Sequence, residues 1–360
     1  VVVGAGAHIF NWHRPGLESD GFELVGVCDV EPERSRDRAR EMGCSSYTNH
    51  EEMLDEARPD VAVVMTPHPS HAPISIRCLQ AGCHVLVEKP MALHAGEADA
   101  MIDAAARNER LLAVCFQNRL RADVAGAKKL VSGGRIGAIQ RVEVTRTWPR
   151  TAAYYADVPW RGTWAGEGGG VLMNQAPHHL DLLCHLLGRP ARVAGWTRRL
   201  LHDIETEDTV HAILEWDEGA LGFFHASTAQ AGTPERFEIV GTKGRLLIIP
   251  EDLRLYTYEA DVRDHVSSDA DPYMEPPAEH EAVELEFVPF GHEAVYENLW
   301  RAIIEGEPLL ADGSEGRMSL EVANALTYAG HSHCQVELPL DRARYESLLA
   351  ELGSSGGGTV

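Results

Sequence analysis

Val1-Val2-Val3-Gly4-Ala5-Gly6-Ala7-His8-Ile9 opens the chain: three β-branched residues run into two glycines spaced by one. An unbroken apolar run suits a strand buried on both faces. The glycines let the backbone turn tightly and come close to a ligand at the N-terminus of the next helix. Ile9 stands where a full Gly-x-Gly-x-x-Gly fingerprint has its third glycine, so the motif is incomplete. Asp29 ends the next apolar run, about twenty residues on, where an acid accepts hydrogen bonds from ribose hydroxyls. An ordinary strand–helix turn with Asp29 as a helix cap is the plain alternative. The joint register of strand, turn and acid favours the nucleotide.

Four more apolar runs follow, at 22–28, 61–65, 84–87 and 111–116, with helical patterns at 31–42, 72–81 and 95–108 between them. This alternation predicts a doubly wound parallel sheet, a Rossmann dinucleotide-binding domain over residues 1–118. Gly4, Gly6, Ala7, His8 and Ile9 form its expected phosphate turn. Thr66, Pro67 and His71 follow the third run, at a strand end that opens toward the cofactor. No arginine stands directly after Asp29 in Val30-Glu31-Pro32, which favours NAD over NADP.

From residue 119 to 345 the pattern changes to successive strands, expected at 139–148, 192–200, 208–216, 220–227, 236–240, 245–249 and 283–288. Helices are expected at 123–132, 292–304 and 314–331. The fold class is therefore α/β plus α+β, the second domain built on a large, mainly antiparallel open sheet. Ile213-Leu214 and Phe223-Phe224 place apolar side chains on both faces of that sheet. The face left bare by the helices needs cover, which predicts a homodimer or homotetramer formed through the sheet. The acidic stretch 251–286 reads as a solvated excursion, and 346–360, glycine-rich at its end, as a flexible tail.

With 32 basic against 55 acidic residues, a net charge of −23, nucleic acid and anionic membranes are poor partners, and neutral sugars or polyols suit the surface better than free anions. No apolar run has the length of a membrane span. Seven cysteines without a Cys-x-x-Cys pair fit reduced thiols in a cytoplasmic protein. A strand already under way at Val1 implies preceding residues in the natural chain, with a leader peptide left open.

Two elements carry the chemistry. Glu88-Lys89-Pro90 ends the fourth apolar run. Gly168-Gly169-Gly170-Val171-Leu172-Met173-Asn174-Gln175-Ala176-Pro177-His178-His179-Leu180-Asp181 joins a glycine run to a helix whose His178 and Asp181, three apart, share a face. A lysine beside a developing alkoxide acts as an electrostatic clamp. A histidine with an ordinary pKa near 6.5 takes up the hydroxyl proton while carbon gives up hydride. Asn174 is expected to satisfy helix-start amides, a role compatible with touching His178 one turn later. His185 continues the stripe, but hydride transfer needs no metal and no third protein ligand is evident, so no metal is expected. Arg119 and the Trp160-Arg161 pair are the best candidates to line a sugar ring. Tyr154 and Tyr155 are weaker ones.

Together these residues resemble the Gfo/Idh/MocA oxidoreductases, the glucose–fructose oxidoreductase and inositol dehydrogenase superfamily, over nearly the whole chain. The resemblance rests on Gly4-Ala5-Gly6, Asp29, Thr66-Pro67 with His71, Glu88-Lys89-Pro90, Trp160-Arg161, the glycine run through Asp181, and the ending Val336-Glu337-Leu338-Pro339-Leu340. It implies a cis bond at Lys89–Pro90, Lys89 beside the nicotinamide and the reacting hydroxyl, His178 as general base, and Asp181 on substrate hydroxyls. It also brings Glu88 and Gln117 to the cofactor. Inositol dehydrogenases carry aspartate at the position of Asn174, so the triad does not transfer unchanged. The resemblance implies an NAD-dependent dehydrogenase of a sugar, cyclitol or glycoside. A glycosidase or lyase working through transient oxidation and a non-catalytic dinucleotide sensor are the other readings.

Overall fold

The computed structural model describes residues 1–232, 234–287 and 289–354. The apolar runs of the first third become one parallel six-stranded sheet, β1 (Val2–Val3), β2 (Gly26–Cys28), β3 (Ser45–Tyr47), β4 (Val61–Val64), β5 (His84–Val87) and β6 (Leu112–Val114). Their order, β3-β2-β1-β4-β5-β6, reverses at β1 and so places a crevice at the carboxyl ends of β1 and β4. Helices α1 (Phe10–Leu17), α2 (Pro32–Met42), α3 (His50–Ala57), α4 (His71–Gln80) and α5 (Ala95–Arg107) connect the strands. Strand β3 and helix α3 went unread in the sequence. Ser45-Ser46-Tyr47 is a polar edge strand, held by its pairing with β2 and not by apolar patterning. Asn49 caps α3 by accepting from the Glu51 amide.

The second domain begins with α6 (Ala122–Ser132) and the long strand β7 (Ile139–Thr147). The short helices α7 (Ala152–Ala156) and α8 (Trp164–Glu167) precede α9 (Pro177–Leu187). Strands β8 (Arg192–Arg198), β9 (Thr209–Glu215), β10 (Leu221–Ser227), β11 (Arg236–Gly241), β12 (Gly244–Ile249), β13 (Asp252–Tyr258), β14 (Ala278–Ala282) and β15 (Val336–Glu337) complete a nine-stranded sheet with β7. Its ladders are antiparallel except β7 with β10, which pair in parallel from Arg141–Leu221 to Thr147–Ser227. Alternation decides the faces: Val142, Val144, Ala212, Leu214, Phe224, Phe237 and Ile239 point into the core.

The stretch expected as a wholly solvated excursion instead supplies two strands and α10 (Val262–Val266). In β13, Leu253 and Leu255 are buried while Asp252 and Arg254 are not, a period of two hidden by acidic flanks. No strand covers 283–287. Val283 and Leu285 pack against the core, but the ladder stops at Ala282, and Val288 lies outside the described residues.

Three helices close the molecule: α11 (His292–Ile304), α12 (Gly313–Ser332) and α13 (Arg342–Ser354). The first lies on α1, where a side chain at Gly16 would meet the Tyr296 ring at 2.3 Å. Helix α12 starts in a capping box between Asp312 and Glu315 and packs on β8, α9 and α5, so it ties the two sheets together. Residues 346–354, expected in a tail, are helical in α13, which is anchored by buried Tyr345 and by Arg342 on Asp99 and Glu321. The rest of that expected tail, 355–360, lies outside the described residues. All seven cysteines are free thiols. None of the described helices is long and apolar enough to cross a membrane.

The glycine run is dictated by contact with the loop that leads into β9. Glu207 Oε1 accepts from the amides of Gly170 (2.9 Å) and Leu172 (3.0 Å), and a Cβ on Gly170 would stand 1.8 Å from the Glu207 carbonyl oxygen. Backbone cannot yield as a flexible side chain does. Gly170→Ala is therefore expected to destabilise the protein by about 1–3 kcal/mol, seen as a lower Tm in calorimetry, while Gly188→Ala, with no atom within 4 Å, is strained only by its positive φ.

Candidate active site

A cleft of about 1100 Å³ runs from the first glycine turn across the carboxyl ends of β1, β4 and β5 to the loop before α8. At one end Gly4, Gly6, Ala7, His8, Ile9 and Asp29 line it, as the sequence led one to expect. Gly4 has φ +96°, and a Cβ there would lie 2.8 Å from the Met65 carbonyl. A Cβ at Gly6 would sit 2.9 Å from Asp29 Oδ2, the atom to which the Gly6 amide donates at 2.7 Å. The Glu31 amide donates to the other oxygen, so backbone bonds hold the carboxylate and each oxygen keeps a lone pair for a hydroxyl. Arg34 also lines this end, its stem against Gly6. It stands five residues after Asp29, just beyond Val30-Glu31-Pro32.

Thr66, Pro67 and His71 line the middle. Buried Thr66 Oγ1 has no partner, the condition of a hydroxyl awaiting a ligand. The His71 ring lies between the carbonyls of Thr66 (2.6 Å) and Pro90 (2.8 Å); burial lowers its pKa, and the neutral ring donates to one of the two. The Lys89–Pro90 bond is cis. Glu88 borders the cleft, yet its carboxylate accepts from His13 Nε2 at 2.9 Å, and Tyr296 bonds the other nitrogen of that ring. His13, Glu88, Cys115 and His292 bring donor atoms within 4.8 Å of one another. The His13 ring, hydrogen-bonded to Glu88 on one side and Tyr296 on the other, braces the turn behind Lys89.

Lys89 Nζ crosses to the second domain and donates to the Asn174 carbonyl at 3.0 Å. Trp160, Arg161, Asp157 and His68 complete this end. Arg161 lies over the Tyr154 ring at 4.0 Å and donates to the Tyr154 carbonyl, and Trp160 packs on His68. Tyr155 bonds Thr228 at 2.8 Å, away from the cleft. His68 Nδ1 donates to the Glu167 carbonyl at 2.9 Å, which leaves Nε2 an acceptor; burial pushes its pKa down to about 3.

Four expectations meet a different geometry. The Asn174 amide does not reach His178: it donates to Glu167, a buried carboxylate that the sequence reading passed over. Asp181 and Arg119 are not in the cleft. Both are buried, paired at 2.6 Å with further bonds at 2.9 and 3.2 Å, and the guanidinium also holds the Leu310 carbonyl and Glu315. Polar groups that read as substrate ligands by type satisfy each other instead, because burial demands a partner. Gln117 does not line the cleft, and its Oε1 accepts from Cys115 Sγ at 3.9 Å. His178, expected at the reacting hydroxyl, does not line the cleft: it is half-buried beside Phe116, the two rings 5.8 Å apart, with Nδ1 buried and unpartnered. The only warning of Glu167 in the sequence is a lone acid in front of three glycines.

A family model described as the NAD-binding Rossmann fold of an oxidoreductase family matches residues 1–116, and the GFO/IDH/MocA C-terminal domain model matches 124–247. The chain resembles the WlbA dehydrogenase of Chromobacterium violaceum, solved with NADH and UDP-GlcNAcA, with 31% identity, a TM-score of 0.82, and cover of 94% of this chain and 95% of that one. It is 32% identical to D-glucoside 3-dehydrogenase of Escherichia coli over 221 residues, 60% of this chain and 61% of that protein. The match thus spans about three-fifths of that relative's length. With myo-inositol 2-dehydrogenase of Thermotoga maritima it shares 26% identity over 68% of this chain and 73% of the other. The protein belongs to the Gfo/Idh/MocA oxidoreductases, and its first domain is an NAD-binding Rossmann domain.

Burial, reinforced by the charge of Lys89, pushes the pKa of His178 down to about 3, so the ring is neutral throughout the physiological range. In an NMR titration of the protein without ligands, the His178 ring signals should show no midpoint between pH 5 and 8, whereas an ordinary histidine titrates near 6.5. A midpoint above 6 would place the ring in solvent.

Proposed function

We propose that this protein is an NAD-dependent dehydrogenase that moves hydride between a secondary hydroxyl of a sugar, cyclitol or glycoside and nicotinamide. The observation that carries the reading is the Lys89 ammonium, set between the dinucleotide end of the cleft and the Trp160-Arg161 end and held by Asn174 across the domain boundary. Gly4, Gly6, Asp29 and Thr66 would hold the dinucleotide, whose nicotinamide accepts hydride when bound. The charge on Lys89 favours the alkoxide form of the hydroxyl; the His178 ring, outside the cleft lining and with a pKa pushed down to about 3, is too weak a base in this state to hold the proton. Trp160 offers an apolar face to a sugar ring and Arg161 donors to its hydroxyls. The compounds named with the relatives, a glucoside, myo-inositol and UDP-GlcNAcA, all carry rings with secondary hydroxyls.

We further propose that a second copy covers the outer face of the nine-stranded sheet. There Trp196, Ile213 and Leu221 are each 53% exposed, beside Glu238, which is buried among Arg141, Arg236 and Arg245. Apolar area of this kind on an open sheet supports a dimer or tetramer.

Following nicotinamide absorbance over a panel of glycosides, inositols and free sugars tests the reaction. Lys89→Ala should lower kcat on the order of 10²–10³-fold, the usual loss of one electrostatic donor, while NAD affinity by fluorescence titration stays near wild type. Near-normal turnover removes Lys89 from the chemistry.

The cofactor prediction is separate. Asp29 faces the ribose end and should give a kcat/KM for NAD above that for NADP. Asp29→Ser should narrow the ratio, since Arg34 already stands at this end to meet a 2′-phosphate. Wild-type preference for NADP would overturn this assignment of Asp29.

A further inference from the structure

Three groups at or beside the sugar end of the cleft converge on a residue that does not itself line it, two on its side chain and one on its backbone carbonyl. Glu167 ends α8 and is 1% exposed. Its Oε2 accepts from the Gly162 amide at 2.7 Å, directly after Trp160-Arg161. Its Oε1 accepts from the Asn174 side-chain amide. Its carbonyl oxygen accepts from His68 Nδ1 at 2.9 Å. Asn174, in turn, gives its own carbonyl to Lys89 at 3.0 Å. One acid thus joins the loop of Trp160 and Arg161, the ring of His68, and the turn that holds the lysine.

We propose that Glu167 is a positioning residue of this enzyme: as a carboxylate accepting on both oxygens, it fixes the Trp160-Arg161 loop and the Asn174 turn relative to Lys89. This sets where the substrate hydroxyl meets the ammonium. The argument is one of donor count. Gly162 and Asn174 both present N–H groups to the acid, and an ionised carboxylate is acceptor-only, so it satisfies both. A carboxamide at the same place turns an N–H toward one of these donors, and a buried donor without an acceptor is costly. Loop displacements well under an ångström are then enough to lower the rate, since reacting atoms misplaced by about 1 Å lose on the order of 10²-fold.

The same count identifies the exchange that restores the network. In Glu167→Gln/Asn174→Asp, the new amide accepts from Gly162 with its oxygen and donates with its nitrogen to the new carboxylate. Every donor then has an acceptor, and the negative charge has moved to position 174. Asn174→Asp alone sets two buried carboxylates against each other, which forces a shared proton or separation.

The proposal rests on the dehydrogenase reading, and the test separates the two. The four proteins of this double-mutant cycle are compared in kcat and KM for the best sugar of the panel, in NAD affinity by fluorescence, and in urea unfolding. We expect kcat/KM to fall about tenfold or more in each single variant with NAD affinity kept, and the double variant to return to within about threefold of wild type. The same coupling should appear in the unfolding midpoints, which need no substrate. A Glu167→Gln protein within twofold of wild type in kcat/KM overturns the proposal, because the acid is then protonated and its charge idle. So does a double variant no better than the worse single one, in either turnover or unfolding. Loss of NAD binding together with turnover in the single variants also overturns it, as the mark of a general fold defect. If wild type turns over no sugar of the panel, the dehydrogenase reading fails instead, while the unfolding cycle still decides the Glu167–Asn174 exchange.

Discussion

The hydrogen bond from Lys89 Nζ to the Asn174 carbonyl is the contact on which the site depends. It joins the end of β5 in one domain to the glycine turn of the other, and so sets the lysine against the substrate end of the cleft. A charged donor on a backbone carbonyl is a strong bond, but a single bond cannot set the relation of two domains. Behind Lys89, Glu88 is clasped by His13, itself on Tyr296 of α11. Behind Asn174, Gly170 and Leu172 hang on Glu207, and the Asn174 amide on Glu167. Each half of the bond is braced by a buried carboxylate.

Burial makes these braces rigid. An acid far from water must find donors, and once they are found it resists any movement that would strip them away. The Arg119–Asp181 pair follows the same logic across the boundary: Asp181 sits on α9, Arg119 in the turn after β6, and the guanidinium reaches on to Leu310 and Glu315 ahead of and within α12. Removing Arg119 leaves the Asp181 carboxylate buried without its guanidinium, a loss that typically costs about 3–5 kcal/mol. The pair is therefore a domain rivet. Helix α12 adds an apolar counterpart by packing against both sheets.

Much of this was legible in the chain by itself. Hydrophobic periodicity marked the parallel sheet, the open second sheet and the closing helices, because burial on one face or two imposes a period that survives any tertiary detail. The glycine turn, Asp29, Glu88-Lys89-Pro90 and the run from Gly168 to Asp181 identified the family and the cofactor, since backbone approach to a dinucleotide admits few residue types. Local polarity hid β3, β13 and β14, whose strands owe their existence to neighbours.

Tertiary structure alone decided which polar residues face the cleft. Arg119 and Asp181 carry the chemistry of substrate ligands, but a residue type cannot say whether its partner is a sugar or another side chain 62 positions away. Asn174 stands one helical turn before His178, and spacing suggested that they touch; the fold instead aims the amide at Glu167 and gives the carbonyl to Lys89. Periodicity reports which face of an element is buried. The direction of a hydrogen bond depends on what the rest of the chain brings to that face, and no local pattern encodes it.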